Sequence, residues 1–187
     1  MIIATLFLAT MHTSIRHVGS QGVHPFEIAF FRNLFGMLAI VPWIIQSGLG
    51  PFRTERIGLH AVRAGINVVA MLCFFTALTI NPVTEVTALS FSVPIFATIF
   101  AIFVFGEKVG IRRWSAMVVG FGGVILILRP GFEEIGLGQM LVIFASVVWS
   151  GALMVIKVLG RTESSVTITA YMSLLMTPLT FIPALFV

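Results

Sequence analysis

The sequence predicts an all-α membrane protein, a multi-helix bundle built from inverted five-helix repeats of which the second is incomplete. Three observations carry that expectation: an apolar composition, seven predominantly apolar runs, and a match of the chain to itself.

Hydrophobic residues make up 58% of the chain and charged residues 10%, with a mean hydropathy of +1.10. A soluble domain carries about 25% charged residues. A chain this apolar cannot cover a surface in water, and a bilayer removes that requirement. The net charge is +4, and the seven acidic residues are all Glu. Lys and Arg occur in short clusters between apolar runs, not as a basic stripe interleaved with aromatics. That pattern reads as topology control and gives no sign of a nucleic-acid partner. Cys73 is the only cysteine, so neither an intrachain disulfide nor a cysteine cluster for zinc is available. Its neighbours Leu72 and Phe74 make it an inert apolar position. The N-terminus has no basic stretch ahead of its apolar run, so residues 1–18 read as a helix rather than a cleaved signal.

Crossing about 30 Å of hydrocarbon takes about 20 helical residues, and helix is preferred because lipid cannot satisfy free backbone groups. Seven spans follow, at about 1–18, 26–46, 61–80, 83–105, 112–129, 138–158 and 166–187. The breakers between them are Ser47-Gly48-Leu49-Gly50-Pro51, Asn81-Pro82, Gly106-Glu107-Lys108 and Arg129-Pro130-Gly131. Alternate links divide the basic residues unevenly. Arg53, Arg56, Arg63, Lys108, Arg112, Arg113, Lys157 and Arg161 fall on one side, and Arg16, Arg32 and Arg129 on the other. The positive-inside rule places the first set, and with it the N-terminus, in the cytoplasm.

Shifted by 141 residues, the chain matches itself. Residues 13–19, TSIRHVG, lie over 154–160, MVIKVLG, pairing Arg16 with Lys157 and Gly19 with Gly160. The register continues through Ala29 with Ala170, Leu34 with Leu175 and Pro42 with Pro183. The unit holds five helices, an odd number, so a second copy enters the membrane from the opposite side, as in many secondary transporters. Residues 1–131 form the first copy, and 138–187 supply two helices of the second. The expectation is therefore a fragment lacking three helices.

Residues 82–131, PVTEVTALSFSVPIFATIFAIFVFGEKVGIRRWSAMVVGFGGVILILRPG, resemble the fourth and fifth helices of EamA-type transporters in the drug/metabolite transporter superfamily. The central proline, the Gly-Glu-Lys step and the glycine-rich helix carry the likeness. PFEIAFFRNL at 25–34 is similar to that family's second helix, and WSGALMVIK at 149–157 to the start of its repeat. The first copy has Leu8 where the pattern has Trp. The resemblance implies ten helices in two inverted halves, cytoplasmic termini and alternating-access transport of small metabolites, in a bacterial inner membrane. A homo-oligomer is compatible with it.

Several polar residues in the spans are candidates for contact with a small-molecule solute. Glu85, near the outer boundary, suits proton coupling or a substrate amine, or an interfacial pair with Arg16 or Arg32. Arg32 lies about 9 Å inside its helix and suits a carboxylate or phosphate, as does Arg16; snorkelling is the alternative. Lys157 reads as a cytoplasmic anchor. Trp149, at mid-helix, offers a stacking face or ordinary packing. Pro94 removes the helical partner of the Ser90 carbonyl, which leaves a freed carbonyl beside the Ser90 and Ser92 hydroxyls as a binding point or hinge. Asn67 either lines the same cavity or bonds a neighbouring helix. Ala116, Gly120 and Gly123 form a small-residue stripe for close helix contact. The GFGG run at 120–123 follows no strand, so it is not a phosphate loop.

Enzymatic readings have little support. There is no Asp for aspartyl chemistry and no HExxH for zinc, and every His precedes the fourth span. No cofactor or metal is expected. The seventh span has no Lys for a retinal Schiff base. A secondary transporter is the first expectation, and a truncated, non-transporting remnant or scaffold is the alternative.

Overall fold

A computed structural model of the chain describes residues 2–47, 54–128 and 136–187. Among them, regular structure is helical throughout: α1 (Ile2–Ser20), α2 (Pro25–Ser47), α3 (Ile57–Ile80), α4 (Val83–Ser90), α5 (Val93–Phe105), α6 (Ile111–Leu128), α7 (Leu137–Leu159) and α8 (Ser165–Ala184). Taking α4 with α5, these elements occupy the seven predicted spans. Five stretches of the described residues are long and apolar enough to cross a bilayer: Pro25–Pro42, Ile57–Ile80, Val83–Phe105, Leu137–Leu159 and Ser165–Ala184. Arg53 and Arg129, from the two sets of basic residues, lie outside the described residues.

Local chemistry sets the ends. α8 starts where the Ser164 hydroxyl accepts from the Thr167 N–H at 3.1 Å. α5 stops at Gly106, left-handed at φ 65°, with the Gly106 N–H bonded to the Ile102 carbonyl and the Glu107 N–H to the Ala101 carbonyl. Between α4 and α5 the helix tightens: the Phe91 N–H donates to the Ala88 carbonyl and the Ser92 N–H to the Leu89 carbonyl, both three residues back. Pro94 therefore sits in the first turn of a new helix, where its missing N–H costs least. The expected interruption at Pro94 is a break centred on Phe91–Ser92.

α3 is the central helix. It packs along α7 for most of its length and also touches α1, α2, α4 and α8. Its inner side supplies Ala64, Val68, Met71, Phe74, Phe75, Ala77 and Leu78 to the core, joined by Ile15, Ala29, Val86, Val142, Ala145 and Met176. The alanines let the helix axes approach closely. α6 is peripheral and leans on α4. Exposed Phe103, Ile111, Val119 and Leu126 suit lipid contact.

α3 begins four residues earlier than the predicted 61–80 span, which draws His60 and Arg63 into the bundle. Arg63, expected among the cytoplasmic anchors, is only 6% exposed.

Candidate functional site

The polar groups of the bundle gather in three places. The first is the end where α1 and α3 finish and α7 begins. The Arg16 guanidinium donates to the Asn81 carbonyl and, at 3.2 Å, to the Leu78 carbonyl. Glu85 accepts from the Asn81 side-chain amide at 3.2 Å and from Gln139 of α7 at 2.5 Å. Arg16 and Glu85 thus meet at Asn81 without pairing directly. Neither Arg16 nor Arg32 is the partner of Glu85; the carboxylate ties α4 to α7 through neutral amides.

The second place is the middle of α3. The Trp149 indole N–H donates to Asn67 Oδ1 at 2.9 Å, and Asn67 Nδ2 donates to the Arg63 carbonyl at 2.9 Å. Asn67 is 3% exposed. An interhelical bond of this kind averages about 0.6 kcal/mol in membrane proteins, so orientation matters more here than stability. Trp149 meets Phe74 edge-on, 5.7 Å between centroids, and His12 of α1 meets the same ring at 5.3 Å. Asn67 thereby bonds both its own helix and a neighbour, and Trp149 is an oriented ring in mid-bundle.

Arg32 reaches towards the same helix. Its guanidinium lies 3.2 Å from Met71 Sδ, 3.4 Å from Asn33 Oδ1 and 5.8 Å from the centre of the Phe75 ring. Asn33, 9% exposed, bonds Thr180 of α8 at 3.3 Å, and its carbonyl accepts from Thr177. Among the described residues no carboxylate pairs with Arg32, and its side chain remains exposed.

The third place lies opposite the Asn81 end. His60 Nε2 is 2.5 Å from Glu163 Oε2, and the Thr54 hydroxyl donates to the other Glu163 oxygen. The His60 ring stacks on Tyr171 at 4.6 Å. Arg63, one turn deeper, donates to the Ile168 carbonyl at 2.9 Å and to Met172 Sδ at 3.0 Å. Lys157 pairs with Glu107, and both Lys157 and Arg161 lie over the Phe105 ring. The hydrogen bond and charge of Lys157 hold the Glu107 carboxyl below its usual range. Lys157 is an anchor with a partner.

Ser90, Pro94 and the glycine stripe stand apart from these clusters. The Ser90 hydroxyl donates to its own helix at the Thr87 carbonyl, 2.6 Å. At the break, Ser150 of α7 donates to the Val93 carbonyl at 2.9 Å. Among the described residues no helix packs closely on the Ala116, Gly120 and Gly123 stripe: a Cβ built at either glycine meets nothing within 4 Å. With Phe91, Pro94 and Arg113 these residues instead line an open groove of about 510 Å³.

Asn33, His60, Arg63, Gln139 and Glu163 were not singled out by sequence reasoning as site residues. His60, Arg63 and Asn67 stand at i, i+3 and i+7, one face of a helix, and that spacing was the available signal.

A polytopic helical bundle with charged and amide groups buried between its helices, surrounded by apolar side chains that suit lipid, is the construction of an integral membrane protein. The chain belongs to the EamA-like transporter family, whose model matches residues 1–129. It is 30% identical to the S-adenosylmethionine uptake transporter of Rickettsia bellii over 169 residues, 90% of this chain and 57% of that protein. It is 29% identical to the riboflavin transporter of Brucella anthropi over 180 residues, 96% of this chain and 63% of that protein. The S-adenosylmethionine uptake transporter of Rickettsia prowazekii is 32% identical over 132 residues, 71% of this chain and 45% of that protein. The chain thus spans between 45% and 63% of the length of these relatives. No solved structure matches it.

Proposed function

We propose that the chain is part of a secondary transporter that moves a small metabolite bearing a heteroaromatic ring across a bacterial inner membrane by alternating access. The observation that carries this is Arg32. An ionised arginine costs about 2.5–3.5 kcal/mol at the centre of a span and less towards its ends, and here a thioether, an amide oxygen and a ring face do not neutralise its charge. Such a cation needs water or a solute beside it, which a transport cavity supplies. The half-buried Trp149 offers a ring face in mid-bundle, and the Phe75 ring centre lies 5.8 Å from the Arg32 guanidinium, though Phe74, Phe75, Asn33 and Asn67 are themselves buried. Both solutes named for the relatives, S-adenosylmethionine and riboflavin, carry heteroaromatic rings and suit such a lining.

In this reading residues 1–131 are one five-helix repeat and 138–187 the first two helices of an inverted second, with the N-terminus cytoplasmic. The self-match at 141 residues and the uneven distribution of Lys and Arg support it. The second reading is a membrane scaffold that moves no solute.

One experiment separates them. Proteoliposomes would be loaded with this chain, or with the chain extended by a relative's remaining segment, and tested for uptake of labelled S-adenosylmethionine and riboflavin. Uptake of at least one solute, reduced at least about tenfold by Arg32→Gln, is the expected result. Uptake no greater than in empty liposomes from both proteins would rule out these solutes and favour the scaffold. Equal uptake by both proteins would show that the segment is dispensable.

A further inference from the structure

At the end of the bundle opposite Asn81, three polar contacts each join the first 131 residues to the segment after 138. They are His60 with Glu163, Thr54 with Glu163, and Glu107 with Lys157. Their burial differs. The side chains of His60 and Glu163 are 1% and 8% exposed, those of Lys157 and Glu107 35% and 37%. An exposed pair contributes little and is screened by salt. Opening a buried pair strands a group that has lost its partner, so the His60–Glu163 contact is the costlier of the two to break.

Behind that contact runs a line of polar groups. Arg63 is 6% exposed, its Nε has no hydrogen-bond partner, and no carboxylate among the described residues pairs with it. The other ring nitrogen of His60, Nδ1, is also buried without a partner. Asn67 follows, bonded to the Arg63 carbonyl and to Trp149. Positions 60, 63 and 67 share one face of α3, which leads from the links to the middle of the span. Among the described residues Arg63 donates to a carbonyl and a thioether there, and both leave its charge unneutralised.

We propose that His60 and Glu163 form the gate at this end of the transport path, and that Arg63 is the cation the gate uncovers, a transient site for a carboxylate or phosphate. The proposal rests on the transporter reading above and adds two functions to it. When the pair parts, Arg63 gains access to water and to an anionic group. Glu163 belongs to the α7–α8 link and His60 to α3, so a rocking motion between the two segments opens the contact without unfolding either helix.

The test uses the full chain with Cys73→Ser and Ala64→Cys, placing one thiol beside Arg63 at a position that is 1% exposed. A membrane-impermeant maleimide is applied to right-side-out and inside-out vesicles. Glu163→Gln is expected to raise labelling at least about tenfold from the face that carries Arg161, and Glu107→Gln less than about twofold. The double variant His60→Glu with Glu163→His is expected to restore slow labelling, which distinguishes a gate from a damaged fold. With Glu163→Gln, sodium phosphate in place of sodium chloride is expected to slow labelling at least about threefold, and Arg63→Gln to abolish that protection. Unchanged labelling in Glu163→Gln, or equal opening by Glu107→Gln, would overturn the gate. No protection by phosphate would overturn the anion site. Neither readout requires uptake, so a failure of the transporter reading would be seen separately.

Discussion

A charge in a membrane helix is defined by what answers it. Glu107 and Lys157 answer each other near water, and the lysine holds the carboxyl below its usual range. A carboxylate whose value is depressed on folding adds stability above its unfolded value, and that contribution disappears as pH falls through the folded one. The contact is therefore expected to be complete at neutral pH and to open only on acidification below the ordinary carboxylate range of about 4.3. Carboxyl-carbon NMR of Glu107 would check this, with Lys157→Met moving its titration upward; an unmoved titration would remove Lys157 as the cause. Arg63 shows why residue roles were only partly legible. A basic residue within two turns of a helix start reads alike whether it snorkels to the interface or is enclosed. The packing of Ile168 and Met172 from α8 decides the matter, and no local pattern announces it. Glu163, in a link between spans, carried no signal of its own.

Helices were the most legible feature, because about 20 uninterrupted apolar residues leave a chain in lipid few alternatives. Their interiors were less so. Pro94 announced a disturbance of the fourth span, but the break falls at Phe91–Ser92 because the ring pushes the distortion towards the preceding turn. The glycine stripe of α6 signalled close packing that the observed neighbours do not supply. The glycine that does matter for α1 is Gly19. A Cβ there would lie 2.3 Å from Thr79 Cγ2 and 3.1 Å from Thr79 Cβ, and a β-branched side chain in a helix has little freedom to move away. Gly19→Ala is expected to push α1 from α3 and to destabilise the protein by about 1–3 kcal/mol, despite alanine's better helix propensity. Denaturation in detergent micelles would measure it, and a stabilised variant would show that this contact yields freely.

For the whole molecule, the links separate into two groups. At one end Thr54 and His60 meet Glu163 and Glu107 meets Lys157, and Gly19, Asn81 and Gln139 gather at the other. Seven crossings, as the sequence predicts, would require this alternation; five stretches of the described residues are long and apolar enough to cross. Single cysteines at Arg56, Arg112 and Arg161 are accordingly expected to react with impermeant reagent from the cytoplasmic side only. Reaction of any one from the opposite side would break the inverted-repeat proposal, since five helices per unit leave no freedom to move a single link.

Gly138, at the start of α7, has no room for even a methyl group: a Cβ would fall 1.6 Å from Asn81 Oδ1 and 2.4 Å from its Cγ. Asn81 is in turn held by Glu85 and, through its carbonyl, by Arg16. Main chain therefore abuts side chain at this crossing, with no flexible spacer to absorb a shear. If α7 swings during a transport cycle, its near tip is the fulcrum and its far tip sweeps the widest arc, where Lys157 and the link bearing Glu163 must travel farthest.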